Sequence, residues 1–165
     1  MQIVKAVDYL HSMEPPIMHR DLKPENILLD SSIVKLADFG CSSIVEGHRK
    51  TYCGTPDYCS PEVMHGETQT EKVDIWALGI LLFELLTGMS PFAPKGENLS
   101  QYQYMAKLQD NILNGKVEGI DLLNAGALDL FKRLTQVNPT ARPSAAQILN
   151  HAWVIFMTLA NKIRK

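Results

Sequence analysis

His19-Arg20-Asp21-Leu22-Lys23-Pro24-Glu25-Asn26 is followed, 12 residues after Asn26, by Asp38-Phe39-Gly40. Either stretch alone reads as an ordinary polar loop or a turn. Between them stand two short β-type runs, Ile27-Leu28-Leu29 and Ile33-Val34-Lys35-Leu36, separated by the polar Asp30-Ser31-Ser32, a spacing that predicts a small hairpin. On the N-terminal side, Ile3, Val4, Val7 and Leu10 recur at helical spacing, so an amphipathic helix is expected to end before Pro15-Pro16. On the other side, residues 38–61 are polar, rich in Gly, Ser, Thr and Pro, and carry neither period. A loop of that length inside a compact domain is usually functional.

Helical patterning takes over after Pro61. Residues 74–87 are apolar on nearly every side, the mark of a helix buried all round, and Gly88, Pro91 and Pro94 stop it. A helix over about residues 100–113 comes next, then another through Leu128, Phe131, Leu134 and Val137. Ser144-Ala145-Ala146-Gln147 has the capping-box form. Trp76 and Trp153 are expected to anchor the core. The fold class is mainly α with a few short β-strands.

Composition narrows the function classes. At 165 residues the chain is one domain, and 45% hydrophobic with 21% charged residues is ordinary for a globular protein. Disorder, collagen and coiled-coil readings are excluded, and neither an internal repeat nor a low-complexity segment is present. A net charge of −2 argues against nucleic acid or a membrane surface as a partner. The greasiest stretch, residues 75–86, is broken by Glu84 and is shorter than the roughly 20 residues a bilayer demands. Residues 1–10 lack the pattern of a signal peptide. Cys41, Cys53 and Cys59 form no C-x-x-C pair and leave one cysteine over, so they read as small packing residues in a reduced intracellular, cytoplasmic compartment, with redox sensitivity as the alternative.

In order and spacing, the two opening motifs resemble the catalytic loop and metal-binding motif of eukaryotic serine/threonine protein kinases. Further matches follow in sequence: Ser60-Pro61-Glu62 where that family has Ala-Pro-Glu, Asp74-x-Trp76-x-x-Gly79 at the start of the buried helix, and Arg142 between Pro139 and Pro143. The resemblance covers essentially the whole chain, as a kinase-like C-terminal lobe built around a buried central helix. It divides into a catalytic loop over 19–26, an activation segment over 38–62 and a helical subdomain over 63–165. It implies transfer of the ATP γ-phosphate to protein hydroxyls, chemistry that rests on positioning and charge neutralisation.

The resemblance assigns roles by position. Asp21 accepts the hydroxyl proton, and Lys23 places its ammonium against the transferring phosphate. Asn26 and Asp38 offer oxygens to Mg²⁺, Leu28 floors the adenine pocket, and the Glu25 backbone lies near the ribose. Gly40 permits the turn that aims Asp38 inward. Lys23 and Thr55 point to serine and threonine as acceptors, while Glu25 and Glu84 match acids that bind an Arg upstream of the target. Thr51, in Arg49-Lys50-Thr51-Tyr52-Cys53-Gly54-Thr55, is similar to the phosphorylated loop threonine of Aurora kinases, with Arg20 as the cation a phosphate would order. An Aurora-like identity implies a nuclear or cytoskeletal setting and a regulatory protein partner. His19, Phe39, Gly40, Glu62, Asp74 and Arg142 are structural, with Asp74 bracing the catalytic-loop backbone and Glu62 paired to Arg142.

One part of the pattern is missing. No G-x-G-x-x-G occurs, and residues 1–18 cannot supply the strand Lys and helix Glu of the family's β-rich N-terminal lobe. The expectation is a C-terminal lobe alone, with little or no activity by itself, and with Leu28 and Phe39 left as an exposed apolar patch. The alternative function is a non-catalytic protein-binding module that uses the helical lobe as a scaffold.

Overall fold

The computed structural model describes residues 1–45, 53–95 and 98–163. The first helix, α1 (Gln2–His11), leads through a turn to strand β1 (Ile17–Met18). Strands β2 (Ile27–Asp30) and β3 (Ile33–Leu36) form the expected antiparallel hairpin, with Ile27 opposite Leu36. A two-residue strand, β4 (Ser43–Ile44), then returns to pair with β1. It lies inside the stretch read as structureless, because two residues carry no period that a sequence pattern can reveal.

The helices that follow are α2 (Pro61–Met64), α3 (Lys72–Thr87), α4 (Gln101–Leu113), α5 (Ala125–Leu134), α6 (Ala145–Leu149) and α7 (Ala152–Ile163). Their starts are written locally. Ser100 with Gln103 and Ser144 with Gln147 form reciprocal capping boxes, and Asn124 accepts from the amide of Ala127. Val137, assigned to the periodic face of a helix, lies beyond the end of α5 and is 45% exposed. Thr135 already caps α5, and Pro139 opens a separate 3-10 turn. Helix α7 was not foreseen, although its Trp153 packs partly buried against both main clusters of the core.

Helix α3 is buried because it has two apolar stripes. Ile75, Leu78 and Leu81 pack with Val7, Leu22, Leu130 and Ile148, whereas Trp76, Ile80 and Phe83 pack with Phe92, Leu108 and Phe131. The helix therefore forms the wall between two cores, which explains a sequence with no polar face. A Cβ on Gly79 would lie 2.7 Å from Thr135 Cγ2 and 2.9 Å from Leu134 Cβ, so glycine lets α5 approach this closely.

One buried ion pair ties the end of the 38–62 segment to this frame. The Arg142 guanidinium donates to both carboxylate oxygens of Glu62, at 2.7 and 2.8 Å. It also donates to the carbonyls of Gln136, Lys72 and Val137, so all five of its N–H groups are used. Its plane sits 5.0 Å from the Trp76 ring centroid. Both side chains are almost fully buried, so removing one strands the other without its counter-charge. Arg142→Met is expected to cost ~3–5 kcal/mol of unfolding free energy in urea titration, enough to leave the chain largely unfolded. A loss below about 1 kcal/mol, the worth of an exposed pair, contradicts this account.

Candidate active site

The loop over 19–26 hangs from α3. Asp74, on the first turn of that helix and fully buried, accepts the amide N–H of His19 at 2.8 Å and that of Arg20 at 2.8 Å. His11 Nε2 lies 2.9 Å from the same carboxylate, and the positive end of the helix dipole adds to the field that holds it. Arg20 takes a left-handed backbone, φ +70°, between these two anchored amides. His19 secures the other side: its Nδ1 accepts from the amide of Asp21 at 3.4 Å, and its Nε2 faces the carbonyl of Ala37 at 3.1 Å. That pairing calls for the Nε2–H tautomer.

Asp21 divides its two oxygens. Its Oδ2 accepts from Asn26 Nδ2 at 2.8 Å and lies 3.0 Å from Lys23 Nζ. Its Oδ1 is buried and has no hydrogen-bond partner among the described residues. Asn26 Nδ2 also donates to the Asp21 carbonyl at 2.8 Å, so the amide nitrogen is committed inward and the amide oxygen is left to act as an acceptor. The Asn26 carbonyl in turn accepts the amide of Ala37 at 2.9 Å, which ties the residue before Asp38 to the catalytic loop. Lys23 Nζ completes the ring by donating to Thr55 Oγ1 at 3.0 Å.

At Asp38 the structure differs from expectation. The left-handed residue is Asp38 itself, φ +58°, and Gly40 has no positive φ. The glycine is needed for a different reason: its amide donates to Asp38 Oδ1, and a Cβ there would stand 3.1 Å from that same oxygen. Asp38 is solvent-exposed. Phe39 packs edge-on against His19 at 4.9 Å and is otherwise exposed, as is Leu28.

The other assigned residues fall in two groups. Glu25 is exposed, and half-buried Glu84 accepts a hydrogen bond from the Tyr58 hydroxyl, a partner 26 residues away that no local spacing announces. Burial, that bond and the nearby carboxylates of Glu84, Glu25 and Asp57 push the Tyr58 hydroxyl well above its usual range, which keeps it a donor. Asp57 likewise accepts from Tyr104 of α4. Thr51 lies outside the described residues.

The cysteines overturn the packing assignment. Cys41 and Cys53 are joined as a disulfide, their Cα atoms 6.1 Å apart, within the range a bridge requires. Only Cys59, 5% exposed, is a buried packing residue.

Among the described residues no group of three or more His, Cys, Asp or Glu side chains is placed to hold a metal. The donors beside the catalytic loop are fewer and harder: the Asn26 amide oxygen and the exposed Asp38 carboxylate. That set fits Mg²⁺, which takes one or two carboxylates and draws its other ligands from water and phosphate.

Comparison with known proteins agrees with this geometry. The family model described as "Protein kinase domain" matches residues 1–154. The chain belongs to the protein kinase domain family. It is 40% identical to an Aurora kinase of Schizosaccharomyces pombe over 93% of its own length and 41% of that protein. It is 41% identical to the serine/threonine-protein kinase DCLK2 of Homo sapiens over 92% of its length and 20% of that protein. It is 39% identical to a cAMP-dependent protein kinase catalytic subunit of Arthrobotrys oligospora over 92% of its length and 29% of that protein. The chain thus spans less than half the length of the curated relatives it matches. Within that family its likeness is to Aurora kinases and to other proteins named as serine/threonine kinases, and no helix among the described residues is long and apolar enough to cross a membrane.

Gly54 closes the site from above. It has φ +102°, and a Cβ there would meet the Arg20 carbonyl at 2.8 Å and Asp21 Oδ1 at 3.6 Å. Gly66 also has a positive φ, +65°, but nothing lies within 4 Å of its Cβ position. Gly54→Ala is therefore expected to cost more than Gly66→Ala by at least about 1 kcal/mol, because backbone strain is joined by a clash with a fixed carbonyl. Equal losses in paired urea titrations would show that the 54–58 turn is not pressed against the catalytic loop.

Proposed function

We propose that this chain carries the hydroxyl-activating and metal-facing half of a protein serine/threonine kinase site, transferring the ATP γ-phosphate to protein hydroxyls. The observation that supports this most directly is Asp21, with one oxygen held by Asn26 and Lys23 and the other buried without a partner among the described residues. An unpaired buried acceptor is costly unless something binds there, and a substrate hydroxyl supplies the missing donor. As that hydroxyl attacks, its proton passes to Oδ1 while Oδ2 stays fixed. Lys23, bridging Asp21 and Thr55, holds its ammonium beside the same point, where it offsets charge on the phosphoryl oxygens.

Mg²⁺, when bound with the nucleotide, neutralises phosphate charge, and Asn26 and Asp38 are the residues that would hold it. The exposed Leu28 lies on the hairpin beside them, where the family places the adenine ring. The Gly-rich loop and strand Lys are not in this sequence, so phosphate positioning by these residues alone is incomplete and transfer by the isolated chain is weak. An intracellular setting and a regulatory protein partner follow from the Aurora-like reading. The exposed Leu28 and Phe39 favour one further reading, a non-catalytic docking surface, which predicts partner binding indifferent to Asp21.

The test is ATP–Mg²⁺-dependent phosphorylation of a basic protein substrate by the full-length protein. Asp21→Asn keeps the shape and removes the proton acceptor, and is expected to lower kcat by about 10²–10⁴. In the same assay Thr51→Ala, which removes the proposed phosphate opposite Arg20, lowers the rate severalfold. An Asp21→Asn protein that matches the native rate ends the proposal.

For the substrate, we propose that an Arg upstream of the target is recognised chiefly by exposed Glu25, because Glu84 already accepts from Tyr58. A positional peptide library is expected to show an upstream Arg preference that Glu25→Gln weakens more than Glu84→Gln. A flat library, or the reverse order of the two variants, contradicts it.

A further inference from the structure

Tyr104 lies one turn before Leu108 and two turns before Ile112, the buried residues through which α4 joins the second cluster of the core. Its ring packs partly buried against that cluster, and its hydroxyl reaches out to donate to Asp57, 47 residues earlier in the chain. Burial, that bond and the charge of Asp57 push the hydroxyl well above its usual range, so it stays a donor at neutral pH. The helix that carries it is fixed at two further points. Asn111 Nδ2 donates to the Phe92 carbonyl at 3.0 Å, and Gln109 meets His65, just past the end of α2, at 2.6 Å. Asp57 is the central residue of the 3-10 turn Pro56–Tyr58, beside which Thr55 Oγ1 accepts from Lys23 and within which the Tyr58 hydroxyl donates to Glu84. Three side-chain bonds thus hold this short turn, and each leads to a different element: the catalytic loop, α4 and α3. No motif in the sequence marks Tyr104, and the chemistry proposed above makes no use of it.

We propose that Tyr104 is a positioning residue for the peptide substrate: through Asp57 it holds the 55–58 turn in the arrangement that a serine or threonine peptide binds. The inference rests on the reading of Thr55 as a substrate contact beside Asp21, and goes beyond it by bringing α4 into substrate selection. The reacting groups do not depend on this bond. Asp21 is held by Asn26 and Lys23, and the loop that carries all three is held by Asp74, through bonds that leave α4 out. Losing the Tyr104 hydroxyl therefore releases the centre of the turn and leaves the proton acceptor where it is. A turn that occupies its binding arrangement only part of the time lowers the apparent peptide affinity by that fraction, while a peptide once bound reacts at the native rate. The coupling is reciprocal, so a bound peptide also restrains Tyr104 and the start of α4.

Tyr104→Phe keeps the ring that packs on the core and removes only the hydroxyl. In the full-length protein, phosphorylation of a fluorescent serine peptide with an upstream Arg is measured while peptide and ATP are varied in turn. Binding of the same peptide is read by anisotropy, and amide hydrogen exchange over residues 54–59 is followed without substrate. Tyr104→Phe is expected to weaken peptide binding and raise the peptide KM severalfold, with kcat and the ATP KM held within about twofold. Exchange over 54–59 speeds up severalfold. Tyr102→Phe, at an 84% exposed position of the same helix, changes none of these. In an Asp57→Ala background, Tyr104→Phe adds no further loss, because the bond is already gone. A fall in kcat at unchanged peptide KM, an equal rise in the ATP KM, a further loss in the Asp57→Ala background, or native exchange over 54–59 overturns the proposal. A native protein that binds the peptide without transferring phosphate ends the reading of the active site alone, whereas peptide binding equal in the native protein and Tyr104→Phe ends this inference alone.

Discussion

The Asp74 carboxylate is the point from which the site is suspended. It sits on the first turn of the most buried helix and receives the backbone N–H groups of His19 and Arg20. Burying a charge there is tolerable only because every donor around it is in place: two loop amides, His11 and the helix terminus. The dependence runs in both directions. The loop amides, with Arg20 in a left-handed conformation, are satisfied by this carboxylate, and the carboxylate would be stranded without them. A loop with little apolar surface of its own is thereby fixed in the frame of the core.

Within that frame the site divides its polar groups into held and unheld atoms. Asn26 and Lys23 hold one side of Asp21, the Asn26 and Ala37 backbones hold the two halves of the site together, and Thr55 holds Lys23. What remains unpaired among the described residues is Asp21 Oδ1, in a shell where almost every neighbour is satisfied. Rigid neighbours around one unsatisfied acceptor are the usual signature of preorganisation, since the cost of desolvating that oxygen is met during folding rather than during binding. The proposed chemistry follows from this asymmetry more than from the identity of any single residue.

Much of this was readable in the sequence where the determinant was local. The β2–β3 hairpin announced itself by two short β-type runs around Asp30-Ser31-Ser32, the α6 cap by Ser144 and Gln147, and α3 by apolar residues on nearly every side. The Glu62–Arg142 and Asp74 contacts came through motif resemblance, because partners 80 and 55 residues apart leave no local trace. Where neither source spoke, the reading failed. The Cys41–Cys53 bridge joins residues 12 apart with no spacing motif to announce it, and the Tyr58–Glu84 bond joins an irregular segment to the far end of α3. Gly40 was expected to permit the turn at Asp38, yet the left-handed backbone belongs to Asp38, whose own side chain caps the turn.

The described parts of the 38–62 segment and the residue before it are tethered at several places, and some of those tethers lead back to α3. Ala37 is bonded to His19 and Asn26 in the loop that Asp74 carries, and Val45 donates to Pro16 beside β1. Gly54 rests on the carbonyl of Arg20, the residue whose own amide Asp74 holds. Glu62 is gripped by Arg142, whose guanidinium also bonds the Lys72 carbonyl and covers Trp76 of the same helix. A segment fastened in this way can be altered between its tethers while the relation of Asp21, Asn26 and Asp38 to one another stays that of the core. Control by modification of the segment and constancy of the reacting groups are then compatible for a mechanical reason: the two share one reference helix, and only the tethers separate them.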